Sequence, residues 1–144
     1  MGGTIKRFQD IKAWQEAREV VKRIYTITRS GELGKDFILR DQMRRAALSI
    51  VLNIAEGFGR GTDKEFRQFL MLARGSVAEL QSALYVALDQ QYISQSDLES
   101  FLSALDSLSS KMTMLARYLG DSSDRKTSPP RKNQSDQRKP PDQS

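Results

Sequence analysis

The sequence predicts an all-α protein, an antiparallel up-down-up-down four-helix bundle, on three observations. No proline occurs before Pro129, so nothing of that kind interrupts a helix over the first 120 residues. Apolar residues recur there at spacings of three and four instead of alternating. The breaks between these stretches are short and rich in glycine or serine, which makes successive helices antiparallel neighbours.

The first helix is expected over about 10–30, with Asp10 as N-cap and Phe8, Ile11, Trp14, Val21, Ile24, Tyr25 and Thr28 at helical spacing. A loop, Gly31-Glu32-Leu33-Gly34, follows. The second is expected over 36–56, with Leu39, Met43, Ala47, Ile50 and Ile54 as its main stripe and Gly57, Gly59 and Gly61 as its stop. The third, over 63–91, opens with a capping box, Thr62-Asp63-Lys64-Glu65, and carries Phe66, Phe69, Leu70, Ala73, Val77, Leu80, Leu84 and Leu88 on one side. Ser94-Gln95-Ser96-Asp97 caps the fourth, over 95–119, whose alternating spacing through Phe101, Leu105, Leu108, Met112, Leu115 and Leu119 makes a bundle seam. Residues 1–120 are thus the bundle. Residues 121–144 read as a disordered, Pro-rich basic tail, because no aliphatic or aromatic residue follows Leu119 to offset the entropy of ordering. Such a tail serves either as a solubilising segment or as a weak electrostatic arm on a phosphate backbone.

Composition narrows the function. The 144 residues include 23 Lys and Arg against 18 Asp and Glu, a net charge of +5, with neither Cys nor His. Disulfides, zinc fingers, Cys or His nucleophilic dyads, Ser-His-Asp triads and imidazole proton shuttles are excluded. No catalytic residues, metal or cofactor are expected, and the chain reads as a non-enzyme. Residues 1–74 hold 15 basic and 9 acidic groups, residues 75–120 hold 2 and 5, and the tail holds 6 and 4. The basic character therefore lies on the early helices. Arg18, Lys22 and Arg29 fall within about 40° of one another on a helical wheel, and Arg67 and Arg74 lie on one flank of the third helix. These five are the candidate nucleic-acid contacts, for an RNA or DNA backbone. The alternative is that they are ordinary solvated faces. The first seven residues lack the apolar core of a secretory signal, and the longest stretch free of charge, Ala46 to Ala55, is half of what a membrane span needs. A cytoplasmic location without membrane contact is expected.

The second helix carries more than one core face. Met43, Ala47, Ile50 and Ile54 share one side, while Leu48, Leu52 and Ala55 form a second apolar face. Between them Arg45, Ser49, Asn53, Glu56 and Arg60 make a polar stripe. It is either an exposed face with an i, i+4 ion pair or, with Leu52, part of an oligomer interface or polar network. Glu56 and Asn53 share a face as a catalytic pair would, but the neighbouring arginines would hold Glu56 ionised, and a structural Arg–Glu–Asn network explains them better. Gly57-Phe58-Gly59-Arg60-Gly61 has neither a preceding strand nor a Gly-Lys-Ser/Thr ending, so it is a poor nucleotide-binding motif.

Taken as a block, Gln42-Met43-Arg44-Arg45-Ala46-Ala47-Leu48-Ser49-Ile50, Asn53-Ile54-Ala55-Glu56-Gly57, Gly59-Arg60, Phe66, Phe69-Leu70, Ala73, Ser76 and Glu79-Leu80 closely resemble the four-helix-bundle family of proteins encoded in ribosomal RNA intervening sequences. Phe8, Ile11, Trp14 and Ala17 match that family's opening pattern, so the resemblance covers roughly residues 8 to 119. It implies a small, non-enzymatic bacterial protein that assembles as a ring-like homo-oligomer, a homopentamer. It also implies kinship with the accessory variability proteins of diversity-generating retroelements, whose basic pentamers bind a reverse transcriptase and its template RNA. On that basis the chain is expected to be an oligomeric accessory protein that binds nucleic acid, RNA foremost, and a reverse transcriptase. The alternative is a structural or protein-interaction scaffold of the same family with no nucleic-acid role.

Overall fold

The computed structural model describes residues 5–125. It is all-helical, with no strand among the described residues: a 3-10 turn over Phe8–Asp10, then α1 (Lys12–Ile27), α2 (Gly31–Lys35), α3 (Phe37–Gly59), α4 (Asp63–Asp89) and α5 (Gln95–Arg125).

The helix starts follow local chemistry. Asp10 is not the cap of α1; it closes the 3-10 turn, where Arg7 holds its carboxylate at 3.3 Å, and buried Ile11 takes the cap position. The expected loop at 31–34 is instead the short helix α2, which inserts Leu33 into the core and enters through Gly31 at φ +73°. Asp36 caps α3 by accepting from the Leu39 amide at 3.1 Å. The Thr62 hydroxyl accepts from the Glu65 amide at 3.2 Å to start α4. Ser94 and Asp97 cap α5 reciprocally: the Asp97 amide donates to Ser94 Oγ and the Ser94 amide to Asp97 Oδ2.

The helix ends differ more. α3 runs on through Gly57 to Gly59 where a stop at Glu56 was expected. A helix-interior glycine costs about 1 kcal/mol. At Gly57 close packing accounts for it, since a Cβ there would sit 2.6 Å from Phe69 Cβ of α4. The chain then turns at Gly61, φ +93°. α4 ends with the Tyr92 amide donating to the Ala87 carbonyl and the Gln91 amide to that of Leu88, the two bonds of a Schellman closure. Gln91 accordingly takes φ +65°. α5 does not end at Leu119 but continues past Gly120 to Arg125. The first five residues assigned to the tail are therefore helical; the remainder, 126–144, lies outside the described residues.

α3 packs on α4, α4 on α5, and α1 on both α3 and α5. The contacts run in reverse order along α3–α4 and along α1–α5. Ser49 meets Ser76 while Gly57 meets Phe69, and Glu16 reaches Lys111 while Arg23 reaches Ser100. The predicted seam of α5 is buried along its whole length, from Phe101 to Leu119. Each such side chain is worth about 1.5–3 kcal/mol of burial. On α3, Met43, Ala47, Ile50 and Ile54 are fully enclosed, whereas Leu52 on the second apolar face is 61% exposed.

Candidate nucleic-acid interface

α1 buries Ala13, Ala17, Val20 and Ile24, which turns Arg18 and Lys22 outward. Arg18 lies over the Trp14 ring at 5.7 Å, and Trp14 meets Phe8 edge-on. Lys22 pairs with Glu19 at 3.3 Å on open surface, a contact worth little against solvent. Arg29 is exposed just beyond the end of α1.

Arg67 and Arg74 do not join that stripe. Arg67 lies along Gly120 of α5, and its Nη1 is buried without a hydrogen-bond partner among the described residues. Arg74 lines a shallow groove of about 380 Å³ with Met71 of α4 and Ser109 of α5. Because α1 and α4 each pack on α3 and α5, they stand across the bundle from each other. The five candidates therefore divide into two sets, on different sides.

The polar stripe of α3 also divides. The Ser49 and Ser76 hydroxyls share a hydrogen bond at 2.7 Å between α3 and α4. Asn53 Nδ2 donates to the Ser49 carbonyl at 2.8 Å and to its hydroxyl at 3.0 Å. Glu56 instead binds Arg60 at 3.1 Å, and Arg60 reaches buried Glu65 at 3.5 Å and covers the Phe69 ring at 4.9 Å. In place of one Arg–Glu–Asn network there is a hydroxyl–amide cluster in the α3–α4 seam and a separate ion-pair group at the α3–α4 turn. Arg45 is exposed and joins neither. Leu52 and, on α4, Leu72 at 57% exposure flank the hydroxyl cluster.

Sequence reasoning missed Arg44 as a structural group. Its guanidinium lies 4.5 Å from the Tyr25 ring, donates from Nε to Thr28 Oγ1 at 2.8 Å and from Nη2 to the Thr28 carbonyl at 3.2 Å. A cation at a helix C-terminus is favoured by the peptide dipoles. A groove of about 500 Å³ opens beside it between α1 and α3, with Tyr25 on one wall and Arg45, Leu48 and Leu52 on the other. Tyr92 was missed as well. Its hydroxyl donates to Asp36 Oδ2 at 3.0 Å, and that hydrogen bond, with burial and the charges of Asp36 and Glu32, pushes the phenol above the usual tyrosine range. Both contacts join residues distant in sequence.

Among the described residues no three His, Cys, Asp or Glu side chains converge as a metal site, and no helix is long and apolar enough to cross a membrane. A family model described as 23S rRNA-intervening sequence protein matches residues 9–114. A solved structure from Bacteroides thetaiotaomicron VPI-5482, described as a protein with unknown function from the S23 ribosomal protein family, shares the fold. Its TM-score is 0.68 at 20% identity, over 73% of this chain and 95% of that one. None of the curated proteins matches the chain.

Proposed function

The chain belongs to the 23S rRNA-intervening sequence protein family, whose model spans residues 9–114, and from that membership and the surface of α1 we propose a non-enzymatic adaptor that self-associates and binds RNA. The four long helices are read as an up-down-up-down antiparallel bundle, supported by the reversed order of contacts along neighbouring helices. The observation that carries the RNA reading is the exposure of Arg18 and Lys22 on α1 and of Arg29 just beyond its end, with one acidic partner, Glu19, among them. Three exposed cations in one stretch of chain suit a polyanion and specify no sequence.

Association rests on Leu52 of α3 and Leu72 of α4, two large apolar side chains left open to solvent. The finer reading is a ring-like homopentamer in the cytoplasm that serves a reverse transcriptase, as the accessory proteins of diversity-generating retroelements do. Its support is the resemblance of the block from Gln42 to Leu80 and the basic balance of the early helices. Absence of a reverse-transcriptase gene beside this one would sink that finer reading.

Charge reversal of Arg18, Lys22 and Arg29 together tests the RNA reading. RNA binding by the full chain should weaken steeply with added salt, and the triple variant should lower the slope of the log–log salt plot by about 2 for a single strand. Affinity indifferent to salt and to the triple substitution would leave the second reading, a protein-interaction scaffold without a nucleic-acid role, which the exposed Leu52–Leu72 face also favours.

A further inference from the structure

Resting on the RNA reading above, we infer that the groove between α1 and α3 is a site for single-stranded RNA, in which Arg45 holds a phosphate and Tyr25 offers its ring to an unpaired base. Tyr25 stands beside the cations of α1, seven residues after Arg18 and three after Lys22, spacings that return to one helix face. Arg44, committed to Thr28, holds that ring from one side at 4.5 Å. Across the groove Arg45 is exposed, with no ion pair or hydrogen bond among the described residues. The acidic group on the wall, Asp41, is already bound by Arg40 at 3.0 Å.

The floor decides which nucleic acid fits. Leu48 gives the groove an apolar surface beside Arg45, and Tyr25 adds an aromatic one. A duplex offers phosphates to such a surface and keeps its bases stacked inside, so the leucine and the ring go unused. A single strand offers phosphates and open base faces together, the combination that cationic grooves with aromatic platforms recognise. Arg67 and Arg74, across the bundle, have no part in this site.

The test uses the full chain and a short unstructured RNA, alone and annealed to its complement, with anisotropy titrations at several salt concentrations. Tyr25→Leu should weaken single-strand binding by about 5- to 100-fold with an unchanged salt slope, and Tyr25→Phe should restore it. Arg45→Gln, at an exposed position that folding does not need, should lower the single-strand salt slope by about 0.7, while Arg74→Gln should not weaken single-strand binding. Duplex affinity should ignore Tyr25→Leu. Equal loss for both RNAs, no loss for either, or no change of slope in Arg45→Gln overturns the groove assignment. So does a shift in sedimentation mass on Tyr25→Leu, which would make a second copy of the chain the occupant. Failure of the native chain to bind any RNA would instead overturn the RNA reading itself.

Discussion

Arg44 of α3 binds Thr28 at the end of α1 twice, through the hydroxyl at 2.8 Å and the carbonyl at 3.2 Å, although sixteen residues separate them. Thr28 is buried, and its hydroxyl donates onward to the Ile24 carbonyl at 2.7 Å. One side chain thereby ties the end of α1, which Thr28 itself closes onto the Ile24 carbonyl, to α3, and it lies against the Tyr25 ring as well.

Arg44→Met keeps the aliphatic stem and removes both hydrogen bonds and the ring contact. The Thr28 carbonyl loses its charged partner, so stability should fall by about 2 kcal/mol in a denaturant titration. Arg44→Lys should recover less than half of that loss, because an ammonium cannot span hydroxyl and carbonyl as the planar fork does. Full recovery by lysine would reduce the contact to simple charge.

Two glycines of α3 should respond with opposite sign. A methyl group at Gly57 meets Phe69 Cβ at 2.6 Å and Phe66 Cδ1 at 3.1 Å, whereas nothing lies within 4 Å of one at Gly59. Gly57→Ala must push α3 from α4 and should cost about 1–3 kcal/mol despite its better helix propensity. Gly59→Ala has that propensity gain without the clash and should be neutral or stabilising by up to about 1 kcal/mol. Melting temperatures of the two variants decide it.

Legibility in the sequence followed the reach of each signal. The α5 seam was readable because Phe101 to Leu119 repeat over five turns against one buried side. Thr62 and Ser94 were readable because a cap and its partner lie three residues apart. α2 was not, since five residues hold no period and Leu33 alone drives it inward. Gly57 looked like a helix stop because its reason, the approach of Phe69, lies on another helix. The division of the candidate cations into two sets was hidden in the same way. A helical wheel places Arg18 and Arg67 on their own helices, but only the packing order sets α1 and α4 on opposite sides.

Tyr92 gives the fold a pH dependence at the alkaline end. Its hydroxyl donates to Asp36, the residue that also caps α3, so losing that proton sets phenolate against carboxylate. The folded state holds the phenol above its ordinary value of 10.0, while the unfolded chain does not. The stability it contributes is therefore fully present below pH 10 or so and is lost as pH rises through the folded value. Against Tyr92→Phe, the native chain should hold a constant advantage in denaturant midpoint from pH 7 to about 9 that shrinks above about 10. An advantage unchanged at the alkaline end would mean that the hydroxyl keeps its proton or that the bond contributes nothing.

The exposed leucines can be separated from mere surface apolarity by position. Leu52 at 61% and Leu72 at 57% exposure flank the Ser49–Ser76 hydrogen bond, whereas Met114, at 64%, lies on α5. If the α3–α4 face joins two copies, a carboxylate at Leu52 or Leu72 is buried without a partner on association, a cost of several kcal/mol that should dissociate the assembly at micromolar protein. Met114→Glu, equally exposed and equally charged, should leave the sedimentation mass unchanged. Helical content should be native in all three, because none of these side chains belongs to the monomer core. Equal effects of Leu52→Glu and Met114→Glu would trace association to general surface stickiness, and no effect of Leu52→Glu or Leu72→Glu would remove the face from the assembly altogether.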